Sequence, residues 1–298
     1  MITPIVAGTD GSEESLAAVE WAARAAGRRR MPLCIVHVVE HYHGHATAQA
    51  QPIRRDRTGR FRHDLPHRAR SVLARARRRA AEAAPGVELR TAAIFGHADQ
   101  VFAALTVTAP LVAVGMRGTG GPGPRLGSVA LSLACHASCP VVFAPVGTSP
   151  VLDEIVVGIE DCDHAMAALE FGFGEADVRG SRLTALHVWT RPQAGQLDAY
   201  HDWILSIDPV NEGAATLLSE QVAPWRDKYP GVIVTESTVH GHPGRVLAMA
   251  SRGADLIVVG GRRGELGPVP GSDPVHYAIL HRTQCPIALI PGGAPTVG

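Results

Sequence analysis

Short apolar runs alternate along this chain with stretches whose apolar residues recur at helical spacing. In the first half the runs cover residues 4–7, 33–39, 89–94, 111–114 and 141–144. They are rich in Val, Ile, Leu and Ala and too short for helices, so each reads as a strand buried on both faces. The helical patterns between them start at Ser12, near Ala69, at Ala98 and at Ser128. In the first, Leu16, Val19 and Ala23 form one apolar stripe. Ser12 is placed to cap it, and Glu13 and Glu14 fall in the first turn, where the helix dipole favours anions. This helix is expected to stop after Ala26 and Gly27, leaving Arg28, Arg29 and Arg30 at its C-terminal end. The other three are expected over residues 69–84, 98–108 and 128–137. Strands alternating with helices in this way predict an α/β unit, a parallel sheet with helices on both faces.

The pattern occurs twice. A shift of 150 residues lays Ile5-Val6-Ala7-Gly8-Thr9-Asp10 on Ile155-Val156-Val157-Gly158-Ile159-Glu160, Ala17 to Trp21 on Ala167 to Phe171, and His37 on His187. A shift of 145 then aligns Phe95-Gly96-His97 with His240-Gly241-His242, and Leu111 to Gly115 with Leu256 to Gly260. Cys139-Pro140 finds its match in Cys285-Pro286. Self-similarity over this length marks a duplication. The expected architecture is two tandem Rossmann-like domains, residues 1–148 and 149–298, each a five-stranded parallel sheet with helices on both faces. Residues 41–66 are the least regular part and read as a mobile surface loop. Their counterpart, 190–211, carries Trp203, Ile204, Leu205 and Ile207 and is expected to fold onto a partner surface.

Charge changes this picture only when it is divided along the duplication. The whole chain of 298 residues has 28 basic and 28 acidic residues, yet the first unit holds 18 Arg against 10 acids and the second 10 basic residues against 18 acids. Most of the arginine surplus lies between Arg54 and Arg79. If residues 68–79 are helical, Val72, Ala76 and Ala80 line one face and the arginines another, with no aromatic residues for base stacking. That is a solvated face rather than a nucleic-acid or membrane surface. No apolar stretch approaches the ~18 residues of a membrane span, and the start shows no secretory signal, so the expected location is cytoplasmic. Five scattered cysteines without paired spacing suit small buried residues in a reducing compartment.

In an open parallel sheet ligands bind beyond the carboxyl ends of the strands, at the point where strand order reverses. Two segments of the first unit fall there. Gly8-Thr9-Asp10-Gly11-Ser12 follows the first strand, and Asp10 is a ready acceptor for a ribose hydroxyl or an adenine amine. Gly115-Met116-Arg117-Gly118 leads through a glycine-rich stretch to Gly127-Ser128, where glycines and a helix start let backbone amides approach an anion. The catalytic motifs examined are missing: there is no Gly-x-Ser-x-Gly elbow, and without any Lys the first unit has no lysine phosphate clamp. His41, His43, His45, His63 and His67 lack acidic or Cys ligands at fixed spacing and read as a solvated loop rather than a metal site.

An opening I-V-x-G-x-D-G-S, a strand ending in His37-Val38, a G-x-x-G followed by a spacer and G-S, and a C-P-V strand together resemble the universal stress protein family in its tandem form. The resemblance spans nearly the whole chain. It implies an adenine-nucleotide-binding fold, with ATP, ADP or AMP as ligand and magnesium accompanying it, often homodimeric and regulatory, with no defined enzymatic reaction. Carried over, Thr9 and Asp10 would hold the nucleoside, and Val38 would face the base through its backbone. Gly115, Gly118, Gly127, Ser128 and Val129 would surround the phosphates, with Arg117 between the first two glycines. The family spacer has nine residues where residues 119–126 supply eight, with Pro122 and Pro124 among them, a shortening that loosens or abolishes phosphate binding unless the glycine surplus absorbs it.

The second unit departs further. Counted without gaps, its second glycine is Arg263 and its G-S pair is Asp273-Pro274, which brings a negative charge and removes an N–H. A gapped alignment keeps Gly261, Gly264, Gly271 and Ser272 but leaves only six residues, 265–270, around the phosphates. Glu160, Asp161 and Cys162 replace Asp10, Gly11 and Ser12. Nucleotide binding is therefore expected in the first unit and lost or strongly weakened in the second.

Overall fold

The computed structural model describes residues 2–40, 66–118, 126–147, 152–159, 164–189, 209–261 and 275–292; of residues 164, 209–212 and 275–278 it describes the backbone alone. The first unit runs β1 (Ile5–Gly8), α1 (Glu13–Arg29), β2 (Leu33–Val39), α2 (His67–Ala83), β3 (Leu89–Phe95), α3 (Ala98–Leu105), β4 (Val112–Gly115), α4 (Ser128–His136) and β5 (Val141–Ala144). The second repeats it as β6 (Glu154–Ile159), α5 (His164–Arg179), β7 (Arg182–Trp189), α6 (Pro209–Lys228), β8 (Val234–His240), α7 (Pro243–Ala250), β9 (Leu256–Gly261), α8 (Val275–Arg282) and β10 (Ile287–Pro291). The segments 41–65 and 190–208, with most of the histidine tract and Trp203 to Ile207, lie outside the described residues, as do Glu160 to Cys162 and residues 262–274.

Both units join in one ten-stranded sheet of order β3-β2-β1-β4-β5-β10-β9-β6-β7-β8. Every neighbouring pair is parallel except β5 and β10, which run antiparallel with Val142 opposite Ala288. The strand-five edges, apolar enough to invite a second chain, are thus consumed by each other within one chain. Any homodimer has to use another surface.

Alternation along the strands divides the core into two layers. Ile5 and Ala7 face a cluster with Leu16 and Val19 of α1, Leu73 of α2, Leu169 and Phe173 of α5, and Leu218 of α6. Val6 points the other way, to Phe102 of α3, Leu133 of α4, Leu247 of α7 and Ile279 of α8. Because both sheet faces are covered, the central strands are apolar runs rather than alternating with polar residues, whereas the edge strands β3 and β8 carry polar positions such as Arg90, Thr91, Glu236 and Ser237. Among the described residues no helix is long and apolar enough to cross a membrane.

The ends of α1 and α3 differ from expectation. Gly27 does not end α1 but sits within it, where a Cβ would stand 3.2 Å from Val87 Cγ2; it permits close packing against the chain entering β3. The helix ends instead on Arg30, whose φ of 53° is left-handed and whose N–H reaches Ala26 and Gly27 carbonyls. In the second unit the matching residue is Gly180, with φ 69°. Likewise α3 ends at Leu105, short of the expected residue 108.

Candidate functional site

The strand order places β1 beside β4, and the helices that follow them lie on opposite faces of the sheet: α1 in one layer, α4 in the other. A crevice must open between the two departing chains, as at the switch point of any doubly wound sheet. A cavity of about 960 Å³ occupies it. All nine residues singled out in the first unit border this cavity: Thr9, Asp10, Val38, Gly115, Arg117, Gly118, Gly127, Ser128 and Val129.

The loop after β1 is held by its own side chains. Ser12 caps α1, its Oγ accepting from Ser15 N at 3.2 Å. Asp10 Oδ1 in turn accepts from Ser12 N at 2.9 Å and Ser12 Oγ at 2.6 Å, an Asx-type turn. Thr9, almost fully buried, shares a hydrogen bond of 3.1 Å with Ser15 Oγ and accepts from Gly11 N at 3.2 Å. From outside, Arg75 of α2 donates to the Gly11 carbonyl at 3.1 Å and ion-pairs with Glu13. Asp10 is therefore part of the loop's frame as well as a cavity wall.

The end of β2 closes one side. His37 Nδ1 lies 2.8 Å from the Thr9 carbonyl. A carbonyl only accepts, so Nδ1 carries a proton, and in the neutral tautomer this leaves Nε2 as the acceptor. His37 also borders the cavity, beside Val38 and Glu40.

The opposite side is the start of α4. Gly127 is its N-cap and no side chain caps it; the Gly127 N–H bonds to the Met116 carbonyl at 2.9 Å. The first intrahelical bond is that of Leu131 N to Gly127 O, so the amides of Ser128, Val129 and Ala130 precede it. All three residues border the cavity. Arg117 also lines it, but its Nε is ion-paired with Glu14 Oε1 at 2.8 Å, which offsets much of its charge. Backbone amides, more than Arg117, make this end electropositive.

Several bordering residues carry no motif and were not singled out: Ser15, Phe102, Pro66, Arg68 and Leu126. Phe102 is the floor under Gly8, where a Cβ would come within 2.6 Å of its ring. Its only sequence signal is an aromatic residue in the apolar face of α3. Among the described residues no group of three or more His, Cys, Asp or Glu could hold a metal ion.

The second unit keeps the frame and changes its chemistry. His187 Nδ1 lies 3.1 Å from the Ile159 carbonyl, as His37 does from Thr9. The polar pair Thr9 and Ser15, however, is replaced by buried Ile159 and Ala165, and Phe102 by Leu247 beneath Gly158.

Two duplicated α/β units joined in one sheet, with a crevice at the switch point of the first, define a tandem doubly wound α/β protein. A profile of the universal stress protein family matches the chain twice, over residues 1–145 and 152–291. Two universal stress proteins of Mycobacterium tuberculosis are 32% and 33% identical to it over 294 residues, covering 95% of this chain and 95% of theirs. A universal stress protein of Archaeoglobus fulgidus shares the fold, with a TM-score of 0.65 at 16% identity over 97% of this chain and 96% of that one. The chain belongs to the universal stress protein family, in tandem form.

Proposed function

We propose that the first unit binds an adenine nucleotide, ATP foremost and ADP or AMP by the same contacts, and that the protein is a cytoplasmic regulatory binding protein of the stress response rather than an enzyme. The observation that carries this reading is the separation of polarity across the cavity. Acceptors gather at the β1 and β2 side, in the Asp10 carboxylate and His37 Nε2; donors gather at the α4 side, in the amides of Ser128 to Ala130. A base amine and ribose hydroxyls suit the first end and phosphates the second. The cavity volume lies within the roughly 300–1,000 Å³ of small-molecule sites. Magnesium would arrive on the phosphates, its usual habit, rather than in a protein cage. Asp10, engaged twice by Ser12, serves as acceptor and loop frame, not as a general base.

Calorimetric titration with ATP tests this. Binding to the wild type and an affinity about tenfold or more lower in the double variant Asp10→Ala/Gly118→Ala are expected. No heat and no thermal shift at millimolar ATP would overturn the nucleotide reading. Phosphate release above a no-protein control, abolished by the same pair of changes, would overturn the non-enzymatic part alone.

A further inference from the structure

The contact between α1 and α5 is built twice from matching residues, aromatic against aromatic and arginine against arginine, apart from Ala25 against Glu175 and Arg28, which faces the same charges, against Val178. At the 150-residue shift Trp21 corresponds to Phe171, Arg29 to Arg179, and Ala25 to Glu175. The arginines cross over. Arg29 stands 5.9 Å from the centre of the Phe171 ring, and Arg179 stands 5.5 Å from the centre of the Trp21 ring. Each guanidinium thus lies over the aromatic residue of the other unit, as cation–π pairing requires.

Of the two departures, Arg28 adds a further positive charge at the rim of the cluster, and the pair Ala25 and Glu175 supplies its carboxylate. Glu175 has no exposed surface; it accepts from Arg179 Nε at 2.7 Å, one turn along its own helix, and ion-pairs with Arg29 across the interface. The Arg179 side chain is only 8% exposed and Arg29 22%. Two guanidinium groups converging in so sheltered a place repel unless a carboxylate lies between them, because little water screens them.

We propose that Glu175 is the pairing determinant of this interface: one carboxylate shared by two duplicated arginines makes α1 of the first unit complementary to α5 of the second and not to a copy of itself. Two first units in the same geometry would bring Arg29 against Arg29 with Ala25 on both sides and no counter-charge. The pseudo-twofold has a further consequence. Residue 25 stands to Arg29 and Arg179 as residue 175 stands to Arg179 and Arg29, so the carboxylate should work from either helix.

Thermal unfolding of the full chain tests this with three variants. Glu175→Ala is expected to lower the midpoint by about 5 °C or more. Moving the carboxylate, in Glu175→Ala/Ala25→Glu, is expected to recover at least half of the loss. Should the longer side chain not fit at position 25, Glu175→Ala/Arg179→Met still reports on the charges, since removing one arginine relieves the repulsion and raises the midpoint above that of Glu175→Ala. Recovery in either double variant supports the proposal. It is overturned by an unchanged midpoint in Glu175→Ala, or by both double variants unfolding at or below the single one.

Discussion

Asp10 Oδ2 lies 2.8 Å from the point where a Cβ on Gly118 would stand. Two loops from different strands therefore meet at these residues, and the missing side chain at 118 is what lets the carboxylate sit at the cavity wall. Gly118→Ala must displace Asp10, whose other oxygen is tied to Ser12. Because the atom in the way is the end of a side chain, the fold should tolerate the change, with stability altered by no more than about 1 kcal/mol. Nucleotide affinity should fall about tenfold or more, and adding Asp10→Ala should weaken binding little further, since both changes act on one contact. Calorimetry on the two single variants and the double one measures this non-additivity.

Gly115 fails differently. A Cβ there would stand 2.8 Å from Glu14 C and Ser15 N, both backbone atoms at the start of α1. Backbone cannot turn aside as a side chain can, so Gly115→Ala should destabilise the first unit by about 2–3 kcal/mol. Urea unfolding should show the loss with or without nucleotide, which separates a glycine needed for folding from Gly118, needed for the ligand.

At the end of α1, Arg30 occupies a left-handed conformation that its duplicate fills with Gly180. An L-residue with a Cβ pays about 1–2 kcal/mol there, partly offset by the greater entropy of an unfolded glycine. Arg30→Gly is therefore expected to raise stability, by about 0.5–1 kcal/mol in urea unfolding.

The centre of the molecule is the antiparallel pair β5 and β10, where Val142 and Ala288 face each other with no exposed surface. Val142→Glu or Ala288→Glu would bury a carboxylate without a partner. Each should cost several kcal/mol in urea unfolding, and the lesion should appear as lost stability of the chain. A change in elution volume alone, with stability unaltered, would contradict the intrachain pairing.

The strands were legible because duplication prints each of them twice, and a buried parallel strand needs only an apolar run. The cavity residues that belong to motifs were legible for a related reason: where the two loops touch, a side chain at Gly118 would displace the Asp10 carboxylate from the cavity wall, so the pair leaves a recognisable pattern. Phe102 and Arg68 were not, since they reach the cavity by the packing of α3 and α2, which no local pattern encodes. Gly27 read as a stop because glycine's usual role at helix ends hides its other use, close approach to Val87. The pairing of β5 with β10 is not legible, because pairing within one chain and pairing between two chains satisfy the same apolar pattern. Glu175 left a faint trace, a single acid in the apolar stripe of α5, whose meaning depends on Arg29 nearly 150 residues away.

That acid also predicts how stability depends on pH. Burial pushes the Glu175 carboxyl up, but the charges of Arg179 and Arg29 and their hydrogen bonds outweigh it, leaving the carboxyl below its ordinary value. In the unfolded chain it titrates near the usual Glu value of about 4.3. A carboxyl lowered in the folded state binds its proton more readily when unfolded, so its contribution is complete above about pH 4.3 and fades as the pH falls toward its folded value. Glu175→Gln keeps the shape and removes the charge. It should cost about 3 kcal/mol at neutral pH, the usual penalty for breaking a buried pair, and then lose less than the wild type on acidification. Unfolding curves from about pH 7 down to about pH 3 should therefore converge, the gap between the two proteins narrowing only below about pH 4.3. Parallel curves across that range would mean that the carboxylate carries no charge-dependent share of the contact between the units.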